Sequence, residues 1–215
     1  MRKKLFLSFA VLAIVSVSAI AFATDALKML DMTKLSNGIP AGWELKVKDG
    51  KANTSIIENG GVKAICMRSE KASFSLQRKI NVNIKDYPVL TWRWKVTELP
   101  KGGDMRKDST DDQAAQIFVA FSGRDSISYV WDTTAPVGAT RSFSVPLVMK
   151  VRIVAVASGP GDAGKWVTVT RNVYEDYKRL YGSEPPVAEG LRYQINSQHT
   201  GTTAESCLES VEFQR

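Results

Sequence analysis

Histidine is nearly absent from this chain of 215 residues: His199 is the only one, and cysteine stops at two, Cys66 and Cys207. One imidazole and two distant thiols cannot build the tetrahedral N/S set of a zinc site. No H-E-x-x-H stretch, G-x-S-x-G elbow or Ser-His-Asp order is present. Gly102-Gly103 and Gly159-Pro160-Gly161 lack the spacing of a phosphate loop, so nucleotide cofactors are not expected. Charge is scattered, with no run of five or six like-signed residues and hence no basic or acidic tail. Internal repeats and low-complexity linkers are missing too. Only one apolar run is long, and it stands at the N-terminus.

That run reads as an export signal. Met1-Arg2-Lys3-Lys4 is a short basic head, Leu5 to Ile20 carries no charge, and Ala21-Phe22-Ala23 is a small-x-small exit. Residues 1–23 therefore predict a cleavable signal peptide, and a periplasmic or secreted destination. Retention as a membrane anchor is the competing reading. The run is near the lower limit of the roughly 20 apolar residues that a span needs, and Ser8, Ser16 and Ser18 interrupt it. No membrane association is expected after cleavage.

Cleavage changes the charge that matters. Losing Arg2, Lys3 and Lys4 leaves 26 of the 29 Lys+Arg against all 22 Asp+Glu, a net charge of +4 rather than +7. Scattered among acids, that excess gives no nucleic-acid footprint, and no nucleic-acid partner is expected. In an oxidising compartment Cys66 and Cys207 are a candidate disulfide; two buried small hydrophobes is the other reading.

Residues 24–215 read as a single β-sandwich domain. Leu90-Thr91-Trp92-Arg93-Trp94-Lys95-Val96 alternates most clearly, with Leu90, Trp92, Trp94 and Val96 on one face. Val62 to Met67 and Ala72 to Gln77 alternate too. Gln116 to Phe121 is more uniformly apolar, as in a central strand covered on both faces. Ile127 to Trp131, Val148 to Val156, Trp166 to Thr170, Leu191 to Ile195 and Val211 to Phe213 continue the series, separated by Gly-rich turns. One helix interrupts it. Asn172 is the N-cap, Glu175 completes a capping box, Val173, Tyr177 and Leu180 share a face, and Gly182 with Pro185-Pro186 ends it. Residues 25–34 suggest a weaker N-terminal turn. The fold class is all-β, a jelly-roll-like sandwich with one short helix after residue 172.

Several motifs taken together resemble a family of exported bacterial proteins known as domain of unknown function 3047. They are Trp92 to Val96, Gly102-Gly103-Asp104, Asp111 to Ala115, Ile117 to Phe121, Tyr129-Val130-Trp131, Gly164-Lys165-Trp166, Arg171 to Tyr177, and Thr200-Gly201. The resemblance runs from about Trp43 to Phe213. It implies a signal peptide and a sandwich of the galactose-binding type, and it brings no activity with it. The sequence departs from the family pattern twice. Asn196 to Gly201 stands where an acidic Asp-x-Asp-Asn-Thr-Gly stretch is usual, and Gln116 stands where arginine is common. A cation held by that stretch elsewhere in the family would lack its hard anionic ligands here.

Candidate site residues follow from chemistry and position. Trp92, Trp94 and Trp131 with Tyr129 read first as core. Trp43 and Trp166, near turns, are the better platforms for a sugar ring. The stretch holding Asp104, Asp108, Asp111 and Asp112 has three readings: a structural calcium loop near Asp104, Asp108 and Asp111, an acid/base pair for glycoside hydrolysis, or a solvated, salt-bridged loop. On a strand, adjacent Asp111 and Asp112 would point to opposite faces, so only one could join a given site. Arg171, at the helix head, either binds an anion or pairs with Asp176.

The leading expectation is a non-catalytic module binding a saccharide or similar polar ligand, through Trp43, Arg93, Asp112, Trp166 and Arg171, with no cofactor. The alternatives are an envelope polysaccharide hydrolase or lyase using Asp111 or Asp112, with His199 or Arg171 assisting, and a structural or partner-binding envelope protein.

Overall fold

The computed structural model describes residues 25–215. The expected signal peptide at 1–23 lies outside the described residues. Fifteen strands and one helix follow in order: β1 (Ala26–Lys28), β2 (Leu35–Ser36), β3 (Ile39–Pro40), β4 (Glu44–Asp49), β5 (Thr54–Asn59), β6 (Val62–Glu70), β7 (Ser73–Val82), β8 (Val89–Glu98), β9 (Ala115–Phe121), β10 (Asp125–Asp132), β11 (Thr140–Val145), β12 (Met149–Ser158), β13 (Val167–Asn172), α1 (Val173–Tyr181), β14 (Ala188–Asn196) and β15 (Thr203–Gln214).

They build two large sheets. One has six strands in the order β13-β8-β15-β6-β5, with β1 beside the end of β15. The other has seven, β11-β12-β10-β9-β14-β7-β4. Pairing is antiparallel except between β10 and β12. This is the jelly-roll-like sandwich that the alternating segments predict.

Period two places the core between the sheets. Leu90, Trp92, Trp94 and Val96 of β8 are fully buried, while Thr91, Arg93 and Lys95 between them are only half-buried. Trp92 and Trp94 meet across the sandwich with Tyr129 and Trp131 of β10, at ring-centroid distances of 5.4 and 6.1 Å. Such tilted aromatic contacts add to the large area these rings bury. From the seven-stranded sheet, Phe74, Leu76, Ile117, Val119, Tyr193 and Ile195 point into the same core. The Tyr193 hydroxyl crosses it to Ser206 Oγ at 2.7 Å, which satisfies a polar group that burial would otherwise strand.

α1 forms where its caps put it. Asn172 Oδ1 accepts from Glu175 N at 3.0 Å, and Gly182 closes the helix with φ 71° and a bond from its N–H to the Lys178 carbonyl. Val173 and Tyr177 are buried, and Leu180 packs beside them. Residues 25–34 differ from the turn expected there: β1 pairs with β15, with Leu27 opposite Phe213.

The even cysteine pair is bridged. Cys66 and Cys207 are register partners on β6 and β15, and a disulfide joins them. It lies on the outer face of the six-stranded sheet, under Trp166, Ile57 and Val62.

Candidate functional site

The seven-stranded sheet buries one face in the core and leaves a trough on the other. On β9 the residues alternating with Ile117 and Val119 are Gln116, Phe118 and Ala120; on β14 they are Gly190, Arg192, Gln194 and Asn196; on β7, Ser73, Ser75 and Gln77. Two adjoining cavities of about 500 and 490 Å3 cross these strands from β4 towards β11 and β12. Phe118, Met149 and Arg192 line both. Seven strands at ~4.8 Å spacing make that crossing roughly 29 Å long.

The floor mixes apolar and hydrogen-bonding groups. The Arg192 guanidinium lies over the Phe118 ring, 4.9 Å from its centroid. Gln116 Nε2 donates to Asn196 Oδ1, which also accepts from Gln113 N at 3.0 Å. Gln116 and Asn196, two places where the sequence departs from the pattern it otherwise resembles, are thus hydrogen-bond partners at one end of the trough.

The acid-rich stretch forms the rim of that end. It folds onto the outer face of the sheet by inserting Met105, fully buried, among Val130, Ala135, Val151, Ile153 and Ala155. Gly103 permits the approach: a Cβ there would lie 2.5 Å from the Asp112 carbonyl and 3.1 Å from Thr133 Oγ1. Asp132, buried beneath, accepts from the N–H groups of Met105, Thr134 and Ala135 at 2.7–2.8 Å. Nothing in the sequence pattern singled out that anchor.

Each acid of the stretch is engaged by an arginine or by backbone and amide donors. Asp104 is held by Arg106 through Nε at 2.7 Å and Nη2 at 2.9 Å. That bond, outweighing burial, holds its carboxyl at about 2. Asp108 and Asp111 both pair with Arg141. Burial pushes the Asp111 carboxyl up, against the opposing pull of Gln113 and Arg141. Asp112 is fully buried and accepts from Asn196 Nδ2 at 3.0 Å and from Thr200 N at 2.6 Å, so it fastens the 196–200 loop to the rim. His199 Nδ1 lies 3.2 Å from the Asp111 carbonyl oxygen. Asp104, Asp108 and Asp111 therefore do not converge on one point. Among the described residues no group of three or more His, Cys, Asp and Glu is arranged to hold a metal ion.

The other sequence candidates lie elsewhere. Trp43 is 6% exposed and its indole N–H donates to the Met29 carbonyl at 2.9 Å, so its ring is enclosed in the core rather than offered as a platform. Arg93 and Trp166 do come together, 5.4 Å apart, but on the outer face of the opposite sheet, where Arg93 pairs with Glu209 and Lys95 also covers the indole. Arg171 is bound by Asp176, the pairing weighed against an anion site. Of the five, only Asp112 supports the trough, from beneath its rim. Asp108, Asp111, Gln116 and His199, which line one end of it, were singled out in the sequence, whereas Phe118, Arg192 and Gln194 were not. Their signal was the alternation Leu191-Arg192-Tyr193-Gln194-Ile195, visible in the sequence as a strand with one polar face.

Among solved structures, the xyloglucanase domain of NopAA, a type three effector from Sinorhizobium fredii, superposes with a TM-score of 0.51 at 12% identity, covering 80% of this chain and 94% of its own. The family 11 carbohydrate-binding module of a cellulosomal cellulase from Clostridium thermocellum gives 0.46 at 8% identity, covering 89% of this chain and 95% of its own. The family GH12 endoglucanase 3 of Trichoderma harzianum gives 0.43 at 10% identity, covering 90% and 98%. The first of these likenesses supports the jelly-roll fold and nothing beyond it. No curated protein matches the chain. The model of the family described as "Protein of unknown function (DUF3047)" matches residues 41–212, and the chain belongs to that family.

Proposed function

We propose that this is an exported saccharide-binding protein that holds an extended polar ligand across the trough of its seven-stranded sheet without cleaving it. The carrying observation is the floor itself. A half-buried aromatic ring, Phe118, lies under the guanidinium of Arg192 and shares the cavity lining with the amides of Gln194 and Gln116. Pyranose rings present apolar C–H faces and equatorial hydroxyls, and an aromatic surface among amide and guanidinium donors matches both. The xyloglucanase domain of this fold was solved with cellobiose, which agrees with the reading.

Titration calorimetry against neutral and acidic plant and cell-wall oligosaccharides tests it. Binding to at least one is expected, and Phe118→Ala should weaken it about five- to tenfold, the worth of one aromatic contact at ~1 kcal/mol. A set with no binder, or a Phe118→Ala protein that folds and binds unchanged, refutes the assignment.

One observation favours hydrolysis as a second reading. The Asp111 carboxyl faces the trough and is pushed up by burial, as a general acid requires. A glycosidase also needs a second carboxylate across the scissile bond. Asp108 shares Arg141 with Asp111 at the same end, and among the described residues the middle of the floor has no carboxylate. Incubation with a bound oligosaccharide should release no new reducing ends. Products that disappear in Asp111→Asn would establish the hydrolase instead.

A further inference from the structure

The charge of the trough is uneven in a way that specifies its ligand further. Its carboxylates are already engaged: Glu44 by Lys46 at 2.8 Å, Asp108 and Asp111 by Arg141. Arg192 is different. It stands where the two cavities meet, and no carboxylate among the described residues pairs with it. Of its five N–H donors, one reaches a protein acceptor, Gln194 Oε1, at a long 3.3 Å. Its other contact is the face of Phe118. Burial depresses its pKa, and no neighbouring acid restores it. A cation withdrawn from water without a counter-charge destabilises the empty protein. Lys79 in one cavity and Lys48 in the other extend the positive surface to either side.

Resting on the saccharide-binding reading, we infer that the trough is built for an acidic polysaccharide, with the carboxylate of a uronic acid unit received by the Arg192 guanidinium above Phe118. A planar carboxylate accepts two parallel N–H bonds from such a fork, a match that neither hydroxyls nor an ammonium reproduces. Lys48 and Lys79 then meet carboxylates of neighbouring units along the chain. A nucleic-acid strand is the less fitting occupant: the trough has Phe118 as its central aromatic ring, whereas strand binding uses successive stacking platforms.

A matched pair of ligands tests this: cellohexaose and the hexamer of β-1,4-linked glucuronate, which differ only in the oxidation of C6. Calorimetry at low salt should show the uronate bound at least about tenfold more tightly, with the ratio shrinking as salt rises. Arg192→Gln should cut the ratio sharply, to what Lys48 and Lys79 supply. Arg192→Lys, keeping charge but not the fork, should fall between. Lys63→Gln, the same charge change on the far sheet, should leave the ratio as it is. The melting midpoint of Arg192→Gln should not fall, since an unpaired cation is removed. Equal affinities in the unaltered protein overturn the acidic ligand and leave saccharide binding standing, and a ratio unchanged in Arg192→Gln overturns the role given to Arg192. Failure of both hexamers overturns the acidic ligand and leaves saccharide binding to the wider oligosaccharide set, whereas tighter binding of a single-stranded oligonucleotide overturns both.

Discussion

Replacing Asp176 by alanine should cost about 3 kcal/mol of folding stability, the low end of the range for breaking a buried ion pair. Asp176 opens α1, and its carboxylate is 5% exposed. Oδ1 accepts from Arg171 Nη2 at 2.5 Å and Arg179 Nη2 at 2.9 Å; Oδ2 accepts from Arg171 Nε at 2.8 Å and the Tyr129 hydroxyl at 2.9 Å. Alanine would leave the Tyr129 hydroxyl unpaired in the core and the Arg171 guanidinium half-buried without its counter-charge. The low end applies because Arg171 keeps 33% of its side chain in solvent. The favourable position of a carboxylate at a helix start is lost as well. For a domain of this size the melting midpoint should drop by roughly 6–12 °C. Arg171→Met with Asp176→Leu should recover much of the loss, because it removes the stranded charge along with its partner. A double variant as unstable as Asp176→Ala would mean that the cost lies in shape rather than charge.

The same network sets a pH signature. Burial raises the Asp176 carboxyl, but bonds from Arg171 and Arg179 outweigh it and hold the group below its usual range. A lowered carboxyl pKa contributes stability that is fully present above the unfolded value, ~3.9, and is lost as pH falls through the folded one. Asp104, held at about 2, acts in the same window. Tyr129 is pushed well above 10, first by burial and then by the Asp176 charge, so its contribution fades in the alkaline range instead. Urea denaturation should show stability falling below pH ~4, and less steeply in Asp176→Ala.

The strands and helix were legible because each follows from a local period. β8 could be placed from Leu90, Trp92, Trp94 and Val96 alone, and α1 from Asn172, Glu175 and Gly182. The trough was not, because alternation shows that a strand has two faces without showing which one meets solvent. Ile117-Phe118-Val119-Ala120-Phe121 looks uniformly apolar, so Phe118 read as core although it faces the cavity. The lining also comes from β4, β7, β9, β12 and β14, segments brought together only by sheet order. Proximity to a turn misplaced Trp43, whose ring turns back to the Met29 carbonyl. β15 was seen only at Val211 to Phe213, because Glu205, Glu209 and Ser210 dilute its pattern over the rest of its length. Burial of Asp132 and the isolation of Arg192 depend on non-local partners, which no spacing rule reports.

Loss of the Cys66–Cys207 disulfide should destabilise the protein by about 2–4 kcal/mol. The bond spans 141 residues of sequence. A loop of that length gives a chain-entropy limit of about 5 kcal/mol, and measured effects commonly fall below such limits because unfolded chains retain structure. Urea denaturation of Cys66→Ala/Cys207→Ala measures the loss of bond and side chains together. The unaltered protein with and without reductant measures the bond alone, since Cys66, Cys207 and Ala64 stay packed under Trp166. The two values should agree within about 1 kcal/mol, as sulfur-to-alanine truncation removes little volume. The trough lies on the outer face of the other sheet, so the affinity for the proposed saccharide in native buffer should be unchanged on reduction. Placement outside the reducing cytoplasm is the condition under which such a bond persists. Expressed from residue 24 onward in a reducing cytoplasm, the protein should carry two titratable thiols and the lower stability. Exported from the full chain, it should carry none. Free thiols in the exported protein, or equal stability of the two forms, would contradict the role given to the bridge, and failure of the full chain to be exported would contradict the role given to residues 1–23.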